Sequence, residues 1–295
     1  MKIFNYGSIN IDHIYSVNHL VKPGETIASL DYRQVLGGKG ANQSIALARA
    51  GADVWHIGRC NHANAWALTQ LEDAAVHCHL LELVDEPSGH AIIQVDKQAE
   101  NAIVLFGGAN QSFTPSQIEA SLEGAQKGDW LVLQNECSCV DQAVLIGTQK
   151  ELKIILNPSP MFADIAAFPL DKVSLLIVNE IEICQLLNIA MTDSATLLQQ
   201  VRKRLPGMDV VITLGGKGAM WINAHECIQV PALNVEVVDT TAAGDTFLGF
   251  LLAAISSGAS KKQALLSGCK ASSLAVQGVG ASSSIPTLAQ VARIN

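Results

Sequence analysis

Short runs of Val, Ile and Leu alternate along this chain with longer segments in which apolar residues recur at helical spacing. Such runs are typical of buried strands, and the longer segments indicate amphipathic helices. The predicted strands are residues 3–6, 54–57, 130–134, 153–156, 175–178 and 210–214. The predicted helices include residues 41–50, 115–125 and 195–204. The repeated succession of strand and helix favours an α/β fold with a largely parallel sheet.

Two stretches interrupt this alternation, residues 11–35 and residues 88–106. In the second stretch, apolar residues 90–95 and 102–105 flank a polar segment, residues 96–101, which predicts a β-hairpin. No low-complexity segment or long linker separates either stretch from the rest of the chain. We therefore expect both stretches to be insertions within one domain.

The most informative polar segment is Asp-Thr-Thr-Ala-Ala-Gly-Asp-Thr at positions 239–246. The apolar residues that follow, beginning with Phe247, predict a helix that starts near Ala242. The free N–H groups at a helix start bind anions, and small side chains let a phosphate approach the backbone. Asp245, in the first turn, is then placed to accept a proton from an attacking hydroxyl. Taken by itself, Asp245 is more simply explained as an acidic residue that stabilises a helix start.

A second glycine-rich pattern, Leu-Gly-Gly-Lys-Gly-Ala, occurs twice, at 36–41 and 214–219. Neither copy has the spacing of a phosphate-binding P-loop, and neither has the third glycine of a dinucleotide-binding fingerprint. The first copy opens a predicted helix, whereas the second joins an apolar strand to residues 220–222 as a predicted β-turn. We interpret the two copies as a shared demand for glycine near ligands and not as a duplication.

Five motifs, in order along most of the chain, resemble those of the ribokinase-like (PfkB-type) sugar kinases. They are Asn-Ile-Asp at 10–12, Gly-Gly-Lys-Gly-Ala-Asn-Gln at 37–43, Asn-Glu-Ile-Glu at 179–182, Thr-Leu-Gly-Gly-Lys-Gly at 213–218 and Asp-Thr-Thr-Ala-Ala-Gly-Asp-Thr-Phe at 239–247. The resemblance implies a three-layer α/β sandwich with a mostly parallel central sheet and a small β-sheet lid, formed by residues 11–35 and 88–106. It also implies a single kinase domain over residues 1–295.

The activity implied by the resemblance is the ATP-dependent transfer of a γ-phosphoryl group to a primary hydroxyl of a small sugar. Conversion of ribose to ribose 5-phosphate is the first expectation. Asp245 would act as the base, and the backbone amides of Ala242, Ala243, Gly244 and Asp245 would form the anion hole. The alternatives left open are another sugar, such as fructose or deoxyribose, a nucleoside, or a non-catalytic role as a sugar or nucleotide sensor.

The family motifs also imply the remaining ligand contacts. The residues expected at the sugar, besides Asp245, are Asn10, Asp12, Gly38, Lys39, Asn42 and Glu136. Those expected at the nucleotide and its Mg²⁺ are Asn179, Glu182, Thr213, Gly215 and Gly218. A monovalent cation, expected to be K⁺, is assigned mainly to backbone carbonyls of Asp239, Thr241, Ala275, Gly278, Gly280 and Ser284. Amide, carboxylate and ammonium groups suit a polyol, which presents many donors and acceptors.

Each of these residues also has an ordinary structural explanation. Asn10 and Asp12 are typical turn formers, and Lys39 is typical of a solvated helix start. The acidic residues near Glu182 are typical of the first turn of a helix, which they stabilise through its dipole. The order of the motifs, and not any single residue, favours the ligand-binding interpretation.

Composition restricts the classes of partner. Hydrophobic residues make up 49% of the 295 positions, which is sufficient for a large buried core. The net charge of −8 gives no basic surface for nucleic acid or anionic membrane. Seven scattered cysteines form no Cys-x-x-Cys pair, and no signal-peptide pattern is visible, so we expect a cytoplasmic protein. The expected partners are a small sugar, ATP and, from the resemblance, a second copy that forms a homodimer through the lid.

One segment departs from the family pattern. Residues 60–64 read Cys-Asn-His-Ala-Asn, where family members usually carry a turn similar to Gly-Asp-Asp. We expect this difference to reshape the rim of the sugar site and thereby to shift the choice of substrate.

Overall fold

The computed structural model describes residues 1–98, 100–161 and 168–294. Its strands are β1 (Ile3–Tyr6), β2 (Asn10–Ser16), β3 (Asp31–Gly37), β4 (Val54–Asn61), β5 (Leu81–Val84), β6 (Gly89–Val95), β7 (Asn101–Phe106), β8 (Trp130–Leu133), β9 (Lys153–Leu156), β10 (Leu175–Asn179), β11 (Asp209–Thr213), β12 (Ala219–Ile222) and β13 (Cys227–Val230). Its helices are α1 (Lys39–Arg49), α2 (Trp66–Asp73), α3 (Pro115–Ser121), α4 (Val140–Gln149), α5 (Glu180–Leu186), α6 (Ser194–Arg204), α7 (Ala243–Ser256), α8 (Lys261–Ala275) and α9 (Leu288–Val291). Each predicted strand and helix is present, and the ends differ by at most four residues.

The central sheet has the strand order β13-β12-β11-β10-β9-β8-β1-β4-β5. All strands from β11 to β5 run parallel, whereas β12 and β13 form an antiparallel edge. The parallel strands are buried on both faces, which explains why they read as continuous apolar runs in the sequence. The predicted turn between residues 214 and 219 is confirmed as the connection between antiparallel β11 and β12.

Helices cover both faces of this sheet, because successive strand residues point to opposite sides. Ile3 and Ile177 belong to a core shared with α1, α2, α7 and α8. Their neighbours Phe4 and Leu176 belong to a second core shared with α3, α4, α5 and α6. The two cores on either side of one sheet make the three-layer sandwich that the sequence predicts.

A separate four-stranded sheet, called here the small sheet, has the order β3-β2-β6-β7. β2 pairs antiparallel with β3 and parallel with β6, and β6 pairs antiparallel with β7. The predicted hairpin over residues 90–105 is therefore confirmed, although Ala99 in its turn lies outside the described residues. Both interruptions of the strand and helix alternation belong to this one sheet.

The topology positions a site at the carboxyl ends of the parallel strands. From β1, the chain continues to β4 and β5 on one side of the sheet and to β8 and the following strands on the other. In open α/β sheets, ligands bind at such a change of direction, beyond the carboxyl ends of the strands. The segments that directly follow β1, β8, β9, β10 and β11 all lie at that edge.

All seven cysteines lie within the described residues and are unpaired, as their spacing predicts. Among the helices of the described ranges, each is too short or too polar to cross a lipid bilayer.

Candidate active site

Helix α1 begins directly against the chain that leaves β1. A Cβ atom added to Gly40 would lie 2.3 Å from the backbone nitrogen of Ser8, an approach that only glycine permits. Gly38, with φ of 90°, forms the turn into the helix. The close packing brings Lys39 and Asn42, both predicted at the sugar, to the carboxyl end of β1.

Helix α7 begins where the sequence predicts, one residue after Ala242, which adopts a left-handed conformation with φ of 59°. The backbone N–H of Ala243 donates to the carbonyl of Thr240 at 3.2 Å. Within the described ranges, the amides of Gly244 and Asp245 have no backbone hydrogen-bond acceptor. These amides therefore project from the positive end of a fourteen-residue helix, where an anion is favoured.

The side chain of Asp245 is buried at this helix start and is held by two residues of α1. Nε2 of Gln43 donates to its Oδ1 at 2.9 Å, and Nδ2 of Asn42 donates to its Oδ2 at 3.2 Å. Only 6% of Asp245 is exposed. The predicted base and the predicted sugar-binding Asn42 are thus in direct contact.

Lys39 lies among acidic side chains that are distant in sequence. Burial by itself lowers the pKa of Lys39. Three carboxylates outweigh this effect and raise that pKa above its ordinary value, those of Asp245, Glu136 and Glu182. The backbone N–H of Lys39 also donates to Oε2 of Glu136 at 2.9 Å. The ammonium group is therefore positively charged and balances the acidic groups around it.

Asn10 and Asp12 lie at the start of β2, in the small sheet. The chain leaves β1 at Tyr6 and enters the separate small sheet three residues later, at Asn10. Burial, and then the nearby carboxylate of Glu136, raises the pKa of Asp12 to about 6. Oδ1 of Asn10 accepts a hydrogen bond of 2.8 Å from Asn110. The small sheet therefore supplies polar groups to the same cluster as α1.

Asn179 and Glu182 have a structural role that the sequence left as an alternative. Oδ1 of Asn179 accepts from the backbone N–H of Glu182 at 2.8 Å, and Oε2 of Glu182 accepts from the backbone N–H of Asn179 at 2.9 Å. This reciprocal pair is a capping box at the start of α5. The pair lies at the carboxyl end of β10, and Glu182 is close enough to raise the pKa of Lys39.

A cavity of about 550 Å³ opens beside the start of α7. Its lining includes Thr213, Gly215 and Gly218, as well as Ala243 and Gly244 of the helix start. The predicted nucleotide-binding residues of the loop after β11 therefore share one cavity with the predicted anion hole. The remaining walls include apolar residues that the motifs do not identify, among them Val237, Phe247, Cys269 and Val276.

The residues assigned to a monovalent cation come from two loops that Asp239 joins. Its Oδ1 accepts from the backbone N–H and the hydroxyl of Thr241, at 2.8 and 2.6 Å. Its Oδ2 accepts from the backbone N–H of Gly280 at 2.9 Å. Burial raises the pKa of Asp239, but these hydrogen bonds lower it below its ordinary value. The loop that carries Gly280 also contains Gly278 and Ser284 and follows Ala275, the last residue of α8. The backbone N–H of Gly278 donates to the carbonyl of Ala275 at 3.1 Å.

Residues 60–64 comprise the end of β4 and the turn after it, and Asn61 contacts Ser88, which directly precedes β6 of the small sheet. Asn61 and Asn64 line a separate cavity of about 330 Å³, together with His13 and His90 of the small sheet. Asp12 and His13 are successive residues of one strand, so their side chains point to opposite faces of that sheet. That this segment forms the rim of the sugar site stays a prediction.

Sequence reasoning missed a group of buried amides behind the site. They are Gln43, Asn5, Asn110 and Gln134, together with the half-buried Asn157. Gln43 belongs to the glycine-rich motif, and Gln134 comes directly before Asn135 and Glu136 at the end of β8. A run of polar residues at the carboxyl end of a buried parallel strand is the signal that could have identified them.

Comparisons with known proteins agree with this architecture. Residues 1–288 match the pfkB family carbohydrate kinase. The chain is 35% identical over 290 residues to a ribokinase of Haemophilus influenzae, covering 95% of this chain and 94% of that one. It is 34% identical over 296 residues to a bifunctional ribokinase/ribose-5-phosphate isomerase A of Fructilactobacillus sanfranciscensis. That match covers 97% of this chain but 54% of the relative, so the chain spans about half its length.

A solved structure shows the same fold. The crystal structure of a ribokinase from Cryptococcus neoformans in complex with ADP matches with a TM-score of 0.89 at 34% identity, covering 99% of this chain and 98% of that one. The expected ribokinase-like sandwich with its separate small sheet is thereby confirmed. The chain belongs to the pfkB family of carbohydrate kinases.

Proposed function

We propose that the protein transfers the γ-phosphoryl group of ATP to the primary hydroxyl of ribose and so produces ribose 5-phosphate. The observation that carries this proposal is the position of Asp245. Its carboxylate lies at the start of α7, between the glycine-lined cavity and the sugar-side cluster of α1 and β2. The choice of ribose rests on the similar ribokinases.

Asp245 is the catalytic base in this proposal. It takes the proton of the sugar hydroxyl as the γ-phosphoryl group is transferred, a contribution of roughly 10²- to 10⁴-fold in rate. The amides from Ala242 to Asp245 stabilise the charge on the transferring group, each donor contributing about 3 kcal/mol. Gly244 and Asp245 offer amides without a backbone acceptor in the described ranges, whereas Ala243 would first release the carbonyl of Thr240.

The sugar is held by the residues that surround Lys39. Asp12 and Glu136 supply acceptors for sugar hydroxyls, Lys39 supplies a donor, and Asn42 supplies both a donor and its unpartnered Oδ1 as an acceptor. Asn10 and Gly38 complete the set through a side-chain amide and a close backbone approach. A site in which these buried groups need partners discriminates against an analogue that lacks a hydroxyl.

The nucleotide occupies the glycine-lined cavity in this proposal, with its phosphates directed to the start of α7. Thr213, Gly215 and Gly218 line its nucleoside part. The oxygens Oδ1 of Asn179 and Oε2 of Glu182 already cap α5, so direct ligation of Mg²⁺ by them would compete with the cap. Mg²⁺ keeps several waters in such sites, and we propose that Asn179 and Glu182 act on it through water. Mg²⁺ would neutralise charge on the phosphates when bound.

A monovalent cation, which we propose to be K⁺, suits the loops that Asp239 joins. The available donors are main-chain carbonyls of Thr241, Ala275, Gly278 and Gly280 with the carboxylate of Asp239, an all-oxygen set that fits a hard cation. Ser284, whose Cβ would lie 3.3 Å from a Cβ atom added to Gly278, completes the set. The ion would add positive charge beside the anion hole and stabilise the loop that presents the amides.

Three broader features belong to the same proposal. The chain acts as one kinase domain over residues 1–295, with the small sheet as a lid. Large apolar side chains of this sheet are exposed, among them Ile92, Val104 and Phe106 at 43%, 67% and 51%, which supports a homodimer through the lid. The unpaired cysteines support a reducing compartment, which we take to be the cytoplasm.

The test is coupled ADP release by purified protein with ATP, Mg²⁺ and K⁺ across ribose, 2-deoxyribose, fructose and several nucleosides. We expect turnover to be highest with ribose, to fall when Na⁺ replaces K⁺, and to be lost in Asp245→Asn while sugar binding remains. Calorimetric titration with ribose provides the binding control for that variant. Near-normal turnover in Asp245→Asn would exclude the base assignment, and binding without ADP release by the wild type would indicate a sensor.

A further inference from the structure

The structure assigns Gln43 as a positioning residue that fixes which oxygen of Asp245 receives the proton. The inference rests on the proposed function, in which Asp245 is the base. Gln43 belongs to the glycine-rich motif but carries no role in the proposal so far. Its side chain is completely buried, and its Nε2 donates to Oδ1 of Asp245 at 2.9 Å.

The nitrogen of the Gln43 amide is oriented by Asn157, which is itself oriented by a backbone carbonyl. The second hydrogen on Nε2 of Gln43 is donated to Oδ1 of Asn157 at 3.0 Å. Nδ2 of Asn157 donates to the backbone oxygen of Ile177 at 2.9 Å. A carbonyl oxygen can only accept, so Asn157 must present its own oxygen to Gln43.

The oxygen of the Gln43 amide is oriented in the same way, by Gln134 and Asn5. Oε1 of Gln43 accepts from Nε2 of Gln134 at 2.8 Å, and the same Nε2 donates to Oδ1 of Asn5 at 2.7 Å. Nδ2 of Asn5 donates to the backbone oxygen of Gly40 at 2.8 Å. If the Gln43 amide were flipped by 180°, its oxygen would face the carboxylate of Asp245 and its nitrogen would face Nε2 of Gln134. Both ends of this amide chain therefore hold the Gln43 hydrogens towards Asp245.

The two oxygens of Asp245 are consequently not equivalent. Oδ1 is held by Gln43, whereas Oδ2 receives only the longer contact of 3.2 Å from Asn42. Oδ1 of Asn42 itself is buried and has no partner in the described residues, which leaves it available to a sugar hydroxyl. Oδ2 is therefore the oxygen on the sugar side, and it takes the proton. A carboxylate oriented before the reaction does not have to be reorganised during it.

The test compares Gln43→Leu with the wild type. We expect kcat to fall by about 10- to 100-fold, because a small misplacement of a reacting group has an effect of that order. KM for ribose should stay near its wild-type value, since the sugar contacts of Lys39 and Asn42 remain. Ser44→Ala is the matched control. Ser44 is buried in the same helix, and its hydroxyl forms a hydrogen bond of 2.8 Å with Nδ1 of His56. Its side chain is connected to that of Gln43 through three hydrogen bonds, by way of Asn5 and Gln134. It should lose stability but keep kcat.

A double-mutant cycle with Asp245→Ala separates positioning from general damage to the fold. In the Asp245→Ala background, Gln43→Leu should have no further effect on the residual rate, because the group that it positions is absent. A lesion of the whole site would lower the residual rate again by a similar factor. That second result would overturn the inference.

The cycle also keeps this inference distinct from the proposed function. If the wild type turns over ribose and Gln43→Leu retains its kcat, the positioning role is wrong while the proposed function stands. If the wild type turns over no sugar, the proposed function fails. The double-mutant cycle is then measured by the urea-unfolding midpoints of the same four proteins. Non-additive midpoints would then support the pairing of Gln43 with Asp245, and additive midpoints would overturn it.

Discussion

Asp12 lies in the small sheet and Glu136 in the segment after β8 of the central sheet, yet the charges of their carboxyl groups interact. Burial of Asp12, and then the charge of Glu136, raises the pKa of Asp12 to about 6 from an ordinary value of 3.8. A carboxyl group with a raised pKa in the folded state stabilises the protein when protonated. That contribution is present below pH 3.8 and is lost as the pH rises towards 6.

We therefore predict that Asp12→Asn is more stable than the wild type above pH 6, and that the difference disappears near pH 4. The gain should be on the order of 2 kcal/mol in the free energy of unfolding, after allowance for partial exposure. Urea denaturation at several pH values measures it, with the exposed Asp73→Asn as the matched control. The same variant should bind ribose more weakly. If Asp12→Asn is no more stable than the wild type at pH 8, the charged form of Asp12 is not destabilised in the folded protein.

Gly218 provides a test of the nucleotide cavity. Its φ is 105°, and an added Cβ would lie 2.0 Å from the carbonyl oxygen of Val230. Gly218→Ala should therefore cost about 1–3 kcal/mol of stability and raise KM for ATP. Gly216→Ala is the control, because a Cβ there meets nothing within 4 Å. Thermal denaturation and ATP kinetics on both variants are the measurement, and equal effects of the two substitutions would contradict the steric argument.

The capping box at α5 allows the structural role of Asn179 to be tested separately from a role in organising Mg²⁺. Asn179→Ala should lose about 1 kcal/mol of stability, because the backbone N–H of Glu182 loses its acceptor. Asn179→Ser keeps a capping oxygen and should retain most of that stability. If Asn179 also organises Mg²⁺ and phosphates, Asn179→Ser will still need more Mg²⁺ for half-maximal rate. Wild-type Mg²⁺ dependence in the serine variant would leave the cap as the role of this residue.

The exposed apolar surface of the small sheet gives a prediction about assembly. Val104, which is 67% exposed on β7, should lie in a dimer contact if the lids pair. Val104→Asp is expected to shift the protein from dimer to monomer in analytical ultracentrifugation, because an unpaired buried charge opposes association. Met191→Asp is the control, since Met191 is 58% exposed but lies between α5 and α6 and is not part of the small sheet. A wild-type protein that sediments as a monomer at micromolar concentration would exclude this interface.

Local patterns were sufficient for the central sheet and for the start of α7. Parallel strands buried on both faces read as apolar runs whatever their neighbours are, so residues 153–156 could be assigned without knowledge of the strand order. The small residues before Asp245 likewise indicate a helix start from a few adjacent positions. That residues 10–16 pair with both residues 31–37 and residues 89–95 depends on strand pairing, which adjacent residues do not show.

The sequence by itself determined the fold class, the strands and helices, and most residues near the candidate site. Only the tertiary structure decided that Gln43 contacts Asp245 across 202 positions, and that Asn61 and Asn64 line a cavity with His13 and His90 of the small sheet. The physical reason is that secondary structure follows from periodicity over a few residues. Contacts at the carboxyl edge of the sheet depend on the order in which strands pair, and a buried amide shows its direction only through its hydrogen-bond partners.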